Sequence, residues 1–189
     1  YEALAKTSKR LEKTALLAEF LKKLKQQPSK FIYLLKGRTF PDYDPREFGI
    51  SDKLAVKAIA KSSGIKESEL IKKFRKIGDL GEIAEEALAK KRQSTLFHST
   101  LSAEKVFENL KKLVEIEGPG SVQKKLGLIA ELLNSATGKE AKYIIRTLLS
   151  DLRVGVADGI LRDSLAQSFF PDDKEAIDKI ESAYDLAND

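Results

Sequence analysis

The sequence contains no cysteine, methionine or tryptophan, and it has a single histidine, His98. Without cysteine the chain cannot form a disulfide or a thiolate metal site, and one histidine cannot supply a histidine cluster. Most metal centres and thiol nucleophiles are therefore excluded by count. Because methionine is absent, we also expect Tyr1 not to be the translational start and the chain to be a fragment of a longer protein.

Long apolar runs are missing as well. No stretch approaches the roughly 18 apolar residues of a membrane-spanning helix, and the first predicted helix is charged throughout, unlike a signal peptide. We therefore expect a cytoplasmic protein, or a nuclear one if the source is eukaryotic, with no membrane partner.

Positive charge exceeds negative charge, and it is unevenly distributed. The net charge is +5, yet the segment from Asp172 onward holds seven acids and two lysines, so the positive excess lies before that segment. A basic body attracts polyanions through counterion release, which gives affinity without sequence information and makes that affinity sensitive to salt. The acidic segment is expected to point away from a bound polyanion, or else only to offset charge.

Apolar residues recur at helical spacing along the chain, and no long alternating run indicates strands. This pattern predicts an all-α fold, a single compact domain of about ten helices. The longest predicted helix runs from Tyr1 to about Gln26, with its lysines in solvent. A final helix, stabilised by a capping box at Asp172 to Glu175, is predicted to carry an apolar stripe.

The stretch from Thr137 to Phe169 carries the most distinctive pattern. Thr137 and Glu140 form a capping box that starts one helix, and Gly155 is predicted to stop this helix just after Arg153. A second helix is predicted to start at about Asp158, its N-cap, and to bury Phe169.

This helix, corner and helix arrangement suits a phosphate. The second helix start presents unpaired N–H groups, Gly155 and Gly159 permit close approach, and Arg153 supplies a cationic fork. Alternatively, Arg153 pairs with Asp151 or Asp158 and only holds the corner together.

Two further helix starts show glycine beside polar or basic residues. The first contains Gly78, Asp79 and Gly81, with Asp79 as the helix cap, and it is either only a cap or also a phosphate contact. The second is expected to bind an anion through its glycines, a hydroxyl at the cap and two lysines. Its residues are Gly118, Gly120, Ser121, Lys124 and Lys125. Neither is a Walker A loop, because the required glycine, lysine and hydroxyl spacing is missing.

These motifs carry a resemblance. The run from 141 to 166, AKYIIRTLLSDLRVGVADGILRDSLA, resembles the signature of the N-terminal DNA-binding domain of ATP-dependent DNA ligases of the archaeal and eukaryotic type. The Gly-Asp-Leu-Gly at 78–81, the Gly-Pro-Gly-Ser at 118–121 and the Leu-Glu-Lys-Thr at 11–14 match the same family in the same order. The resemblance covers nearly the whole chain.

The resemblance implies a DNA ligase that uses ATP and Mg²⁺ to seal nicks in replication, repair and recombination. It implies that residues 1–189 hold nicked duplex through the minor groove and phosphate backbone, while nucleotidyltransferase and OB-fold domains lie elsewhere. The family's adenylylated lysine stands two residues before an Asp-Gly pair. Here Val156 stands two residues before Asp158, so no catalytic residue and no cofactor site are expected in this chain.

Residues Gln93, Leu96 and Phe97 resemble the shortened sliding-clamp-binding peptide of related archaeal ligases. The resemblance implies that the glutamine fills a polar pocket on the clamp (PCNA) and that the apolar pair enters a groove. Alternatively, Leu96 and Phe97 return to the core from a loop.

A rival interpretation from another class stays open. In it the chain is a helical protein-interaction scaffold, its lysines are only solvated, and its glycines are only helix stops. DNA affinity that falls steeply with salt would separate the two, because a scaffold has no DNA affinity at physiological salt.

Overall fold

The computed structural model describes residues 1–24, 28–92 and 101–187. Within these residues the backbone forms eleven helices and no strand, which confirms the all-α fold class. The helices are α1 (Glu2–Ala5), α2 (Arg10–Lys23), α3 (Pro28–Leu35), α4 (Asp52–Ser63), α5 (Glu67–Ile77), α6 (Leu80–Arg92), α7 (Ala103–Glu115), α8 (Ser121–Ser135), α9 (Gly138–Leu148), α10 (Asp158–Phe169) and α11 (Ala176–Ala187). Two compact units are present: unit 1 comprises Tyr1–Pro45 and Leu152–Asp189, and unit 2 comprises Arg46–Asp151.

The prediction of one long helix from Tyr1 to Gln26 is wrong. The chain forms α1 and α2 with a break between Ala5 and Arg10. At this break the Thr7 hydroxyl accepts a hydrogen bond from the Lys9 N–H (3.2 Å) and donates one to the Glu12 carboxylate (2.5 Å). A threonine hydroxyl that bonds the backbone competes with the helical hydrogen-bond pattern, which explains the interruption.

In unit 1, α2 packs against α10. The buried face of α2 consists of Lys13, Thr14, Leu17, Ala18 and Leu21, whereas Leu11 is 82% exposed. The contact uses small side chains on α10. The hydroxyls of Ser164 and Ser168 donate to the carbonyls of Thr14 (3.2 Å) and Ala18 (3.1 Å) respectively.

The end of unit 1 differs from the sequence prediction in two respects. Phe169, predicted to be buried, is exposed, and Ala176 is the buried residue of α11. Before α11 the Asp173 carboxylate accepts the Glu175 N–H (2.9 Å), so the predicted capping box is a local turn that precedes the helix. Part of the predicted apolar stripe of α11 is exposed, since Ile177 and Leu186 are 40% and 90% exposed.

In unit 2, α6 packs closely against α9, and α4 packs against both α6 and α8. The largest fully buried side chains of this unit are aliphatic and fill the space between the helices. They are Ile59, Leu70, Leu80, Ile83, Leu110, Leu113, Ile129, Leu132, Leu133 and Ile145. Serine hydroxyls cap α4 and α7: Ser51 accepts the Leu54 N–H, and Ser102 accepts the Lys105 N–H.

The start of α9 is as predicted, but its end is not. The Thr137 hydroxyl accepts the Glu140 N–H (3.1 Å), and the Glu140 carboxylate accepts the Thr137 N–H (2.6 Å), which completes the capping box. The helix then ends at Leu148, not at Arg153.

The early end of α9 has a local cause. Ser150 takes a left-handed conformation (φ 55°), its N–H bonds the Thr147 carbonyl, and the Asp151 N–H bonds the Arg146 carbonyl. These two bonds form a Schellman motif, which ends a helix. Glycine usually occupies the left-handed position, so a serine there offered no signal in the sequence.

Candidate nucleic-acid interface

Arg153 lies in the irregular segment that leads to α10, and its residue is exposed. Its φ is 54°, and Gly155 two residues later has a φ of 60°. A left-handed conformation is unfavourable for a residue with a β-carbon, so the surrounding contacts must hold Arg153 in it. We refer to residues Arg153–Gly155 as the Arg153 loop.

The Arg153 loop is held by Lys13 of α2. The Lys13 ammonium donates to the carbonyls of Val154 (2.6 Å) and Gly155 (2.9 Å), and Lys13 is 7% exposed. A β-carbon at Gly155 would overlap the Lys13 ammonium, so the glycine is required both by its φ and by the lysine. Inside the protein, the group that approaches Gly155 closely is the Lys13 ammonium.

The start of α10 is built from several charged groups. Ala157, not Asp158, is the N-cap, and Asp158 is the first helical residue. The Asp158 carboxylate pairs with the Lys36 ammonium (3.0 Å), which also pairs with Asp42. An acid in the first turn of a helix is favourable, because it faces the positive end of the helix dipole.

The pKa values of this group follow from its neighbours. Burial lowers the pKa of Lys36, but hydrogen bonds and charges from Asp42 and Asp158 outweigh it, so the Lys36 pKa is raised above its ordinary value. Burial raises the pKa of Asp42, but Lys36, Tyr184 and Arg38 outweigh burial and lower it below its ordinary value. Both groups are thus held in their charged forms.

Gly159 lies in the first turn of α10. A β-carbon there would come within 3.4 Å of the Arg10 guanidinium and 3.8 Å of that of Arg162. Arg10 of α2 also pairs with Asp163, which lies on α10 (2.6 Å). These are ordinary van der Waals distances, so two guanidinium groups lie beside the helix start and the space there does not demand glycine.

In unit 2, the residues Gly78–Gly81 form what we call the Asp79 corner. Gly78 ends α5 in a left-handed conformation (φ 71°) with open space around it. The Asp79 carboxylate accepts the N–H groups of Gly81 (2.8 Å) and Glu82 (3.3 Å), which confirms that Asp79 caps α6.

A buried ion pair fixes the Asp79 corner. The Arg146 guanidinium of α9 binds the Asp79 carboxylate (2.5 Å), and the two side chains are 8% and 5% exposed. A β-carbon at Gly81 would lie 2.7 Å from the Arg146 Cγ and 2.9 Å from the Lys142 carbonyl oxygen. Gly81 therefore allows α6 and α9 to pack closely, and Arg146 is part of the core.

The turn before α8 is more open. Gly118 and Gly120 have φ values of 77° and 78°, and a β-carbon at either position would meet no atom within 4 Å. Gly120 is the N-cap and Ser121 is the first helical residue, so the predicted hydroxyl cap is wrong. Glycine takes the cap position because the backbone there is left-handed.

The two lysines of α8 differ in their surroundings. Lys124 is exposed, whereas the Lys125 ammonium donates to the Phe48 carbonyl (2.8 Å). Lys124 is therefore better placed than Lys125 to meet an external anion. Gln93, Leu96 and Phe97 lie outside the described residues.

Comparison with known proteins identifies the family. Residues 1–166 match the family model described as DNA ligase N terminus. The chain is 39% identical to a DNA ligase of Thermococcus onnurineus and 40% identical to DNA ligases of Methanosphaera stadtmanae and Nitrosopumilus maritimus. Each of these matches covers the whole chain. The chain belongs to the DNA ligase N-terminus family.

This DNA ligase N-terminal chain spans about a third of the length of those relatives: 33%, 34% and 32% respectively. Across the part of the chain that the structure describes, no helix is both long and apolar enough to cross a membrane. Among the same residues, no group of three or more histidine, cysteine, aspartate or glutamate side chains could hold a metal ion.

Sequence reasoning missed two residues of the ligase N-terminal chain that shape the candidate interface, Lys13 and Arg146. A signal existed for Lys13, which stands four residues before Leu17 and eight before Leu21 and so shares their helix face. For Arg146, the neighbouring Ile145 and Tyr143 are buried but give no direct indication. Its partner Asp79 is 67 positions away, so the ion pair is visible only in the fold.

Proposed function

We propose that this chain is the duplex-binding part of a DNA ligase and that it holds nicked DNA by its phosphate backbone without reading sequence. The observation that carries the proposal is the Arg153 loop. An exposed arginine with a left-handed backbone stands there, five positions before the first residue of the twelve-residue helix α10, and a buried lysine binds the two carbonyls that follow it. A guanidinium fork fixed in place binds a phosphate better than a freely moving side chain, because less conformational entropy is lost.

In unit 2, the turn before α8 is a separate proposed phosphate contact. Its open glycines allow a phosphate to approach the N–H groups at the helix start, and exposed Lys124 adds positive charge. A helix N-terminus favours an anion through its unpaired N–H groups and its dipole. Backbone contacts of this kind position a protein on duplex but do not specify bases, which fits the minor-groove binding implied by the resemblance.

The Asp79 corner has a different part in this proposal. Asp79 is buried with Arg146, and Gly81 faces α9, so neither offers a direct phosphate contact. Gly78 has open space around it, which gives a phosphate room to approach. The corner thus contributes mainly by holding the start of α6 rigid.

The chemistry of sealing, with ATP and Mg²⁺, is proposed for the complete ligase. We propose that this chain alone forms no adenylate, because no lysine stands two residues before its Asp-Gly pair at 158–159. Incubation with labelled ATP and Mg²⁺ checks this point, and a covalent AMP adduct would overturn it.

Clamp binding by Gln93, Leu96 and Phe97 rests on the resemblance alone. Apolar anchors dominate binding to such grooves, so the double substitution Leu96→Ala, Phe97→Ala should abolish capture by a sliding clamp while DNA affinity is kept. Clamp capture that persists in the folded double variant would reject the assignment.

The experiment for DNA binding is a fluorescence-anisotropy titration of the chain with nicked duplexes of several scrambled sequences over a range of salt concentrations. We expect similar affinities for all sequences and a steep loss as salt rises. Absence of binding at low salt would reject the proposal and favour the helical scaffold. A strong preference for one sequence would reject backbone recognition.

A further inference from the structure

Lys13 occupies an unusual position for a lysine. It lies on the buried face of α2, in line with Leu17 and Leu21, and it is only 7% exposed. Placing an ammonium away from water is costly unless its N–H groups find acceptors. A lysine at such a position therefore needs a partner that the α2 sequence does not supply.

The partners are backbone carbonyls of the Arg153 loop. The ammonium bonds the Val154 carbonyl (2.6 Å) and the Gly155 carbonyl (2.9 Å), which lie 141 and 142 positions away in the sequence. Val154 itself is 3% exposed, so its side chain anchors the loop from the same interior. Two consecutive carbonyls bound to one ammonium restrict the rotation of the peptide units between Val154 and Val156, directly after Arg153.

The left-handed residues make this restraint necessary. Arg153 at φ 54° is a non-glycine residue in an unfavourable conformation, which persists only where neighbouring contacts favour it. Gly155 completes the arrangement, because any larger residue would displace the ammonium. Lys13, Val154 and Gly155 thus form one interlocked unit that determines where the Arg153 side chain begins.

We propose that Lys13 is a positioning residue for DNA binding: its buried ammonium holds the Arg153 loop in the conformation that presents Arg153 to a phosphate. The inference rests on the proposed function. Carbonyl oxygens are neutral acceptors, so these two hydrogen bonds leave the positive charge of Lys13 uncancelled. Its charge adds to the potential that Arg153 presents to a polyanion.

The test replaces Lys13 by methionine, which keeps an unbranched apolar stem and removes the ammonium. Three quantities are measured: affinity for nicked duplex as a function of salt, the rate of trypsin cleavage after Arg153 under native conditions, and the thermal midpoint. For Lys13→Met we expect about tenfold weaker binding, a salt slope smaller by about one unit and faster cleavage after Arg153. Cleavage rises because a loop freed from its anchor opens locally more often.

Leu17→Ala is the matched control. Leu17 lies one turn further along the same face of α2 and is 2% exposed, so this variant destabilises the same packing without touching the loop carbonyls. Below its own melting temperature it should keep the unaltered salt slope and cleavage rate. A purely structural role for Lys13 would make the two variants behave alike, and that result would overturn the inference.

Gly155→Ala provides the second variant, because its methyl group displaces the ammonium while Lys13 is kept. It should reproduce the weaker binding and the faster cleavage, to which the strain of alanine at a φ of 60° also contributes, and it can still overturn the inference if Lys13→Met does not fold. Unaltered affinity and cleavage in a folded variant would reject the inference while the proposed function stands. Failure of the unsubstituted chain to bind DNA would reject the proposed function together with the inference.

Discussion

The Asp79 corner in unit 2 and the Arg153 loop in unit 1 are fixed by the same kind of device with different chemistry. In each region a buried cation from a distant helix binds a turn beside a helix start. At the Asp79 corner the acceptor is a carboxylate, so the two charges cancel. At the Arg153 loop the acceptors are carbonyls, so those bonds leave the lysine charge in place.

This difference separates stability from binding. A neutral buried pair contributes little to the potential outside the protein, and its removal is felt mainly as lost stability. A buried cation behind an exposed arginine adds to the field that attracts phosphate. We therefore expect substitutions at the Asp79 corner to lower the free energy of unfolding and substitutions at the Arg153 loop to lower DNA affinity.

The largest effect is expected for Arg146→Ala. The substitution leaves the Asp79 carboxylate buried without its guanidinium, which costs about 3–5 kcal/mol of unfolding free energy. Urea denaturation measures the loss. The matched control is Lys73→Ala, which removes one partner of the more exposed Lys73–Glu86 pair (2.8 Å) and should cost no more than about 1 kcal/mol.

Equal losses of unfolding free energy in the two variants would show that burial does not increase the contribution of the Asp79–Arg146 ion pair to stability. DNA affinity of the Arg146→Ala variant, measured at a temperature where it is folded, should fall less than that of the Arg153→Ala variant. The opposite order would contradict the division between the two regions.

The sequence predicted the local features of both regions and missed their long-range supports. The caps at Ser51, Asp79, Ser102 and Thr137 were predictable because each bonds an N–H within three residues. The end of α9 was missed because Ser150 takes a conformation that glycine signals more clearly.

The buried cations were missed for another reason. Lysine and arginine usually lie in solvent, and a prediction from composition follows that tendency. Lys13 and Arg146 depart from it because partners far along the chain satisfy their donors. Helical spacing locates a charged residue on a buried face, but only the tertiary fold shows what it binds there.

A smaller effect, on binding and not on stability, is expected for Arg153→Ala. Loss of a hydrogen-bonded contact from a guanidinium to a phosphate should weaken DNA affinity by about 1–3 kcal/mol, equally for all sequences, with a salt slope lower by about one unit. Arg153→Lys should recover part of the affinity, because an ammonium keeps the charge but not the planar fork. Anisotropy and thermal unfolding on the same preparations provide the measurement.

Lys179→Ala is the control for charge removed elsewhere. Lys179 lies in the acidic helix α11 and pairs with Asp173 (3.0 Å), and its replacement should leave DNA affinity unchanged. If Arg153 only holds its loop together, its alanine variant will melt at a lower temperature and bind DNA normally once folded. That pattern would show that Arg153 stabilises its loop and does not contact DNA.

The smallest effect is expected at Gly120. Substitutions there distinguish a glycine needed only for the backbone conformation from one that also lets a phosphate approach. Gly120 has a φ of 78° with open space around it. Alanine there meets only backbone strain, about 1 kcal/mol. Asparagine tolerates the left-handed conformation and also caps a helix. Gly120→Asn should therefore unfold at nearly the unaltered urea concentration, and Gly120→Ala slightly earlier. If the turn also admits a phosphate, the asparagine side chain will occupy that space and weaken DNA binding although the fold is intact. Unaltered affinity in Gly120→Asn would show that the glycine serves backbone conformation alone and that the α8 start is not a phosphate contact.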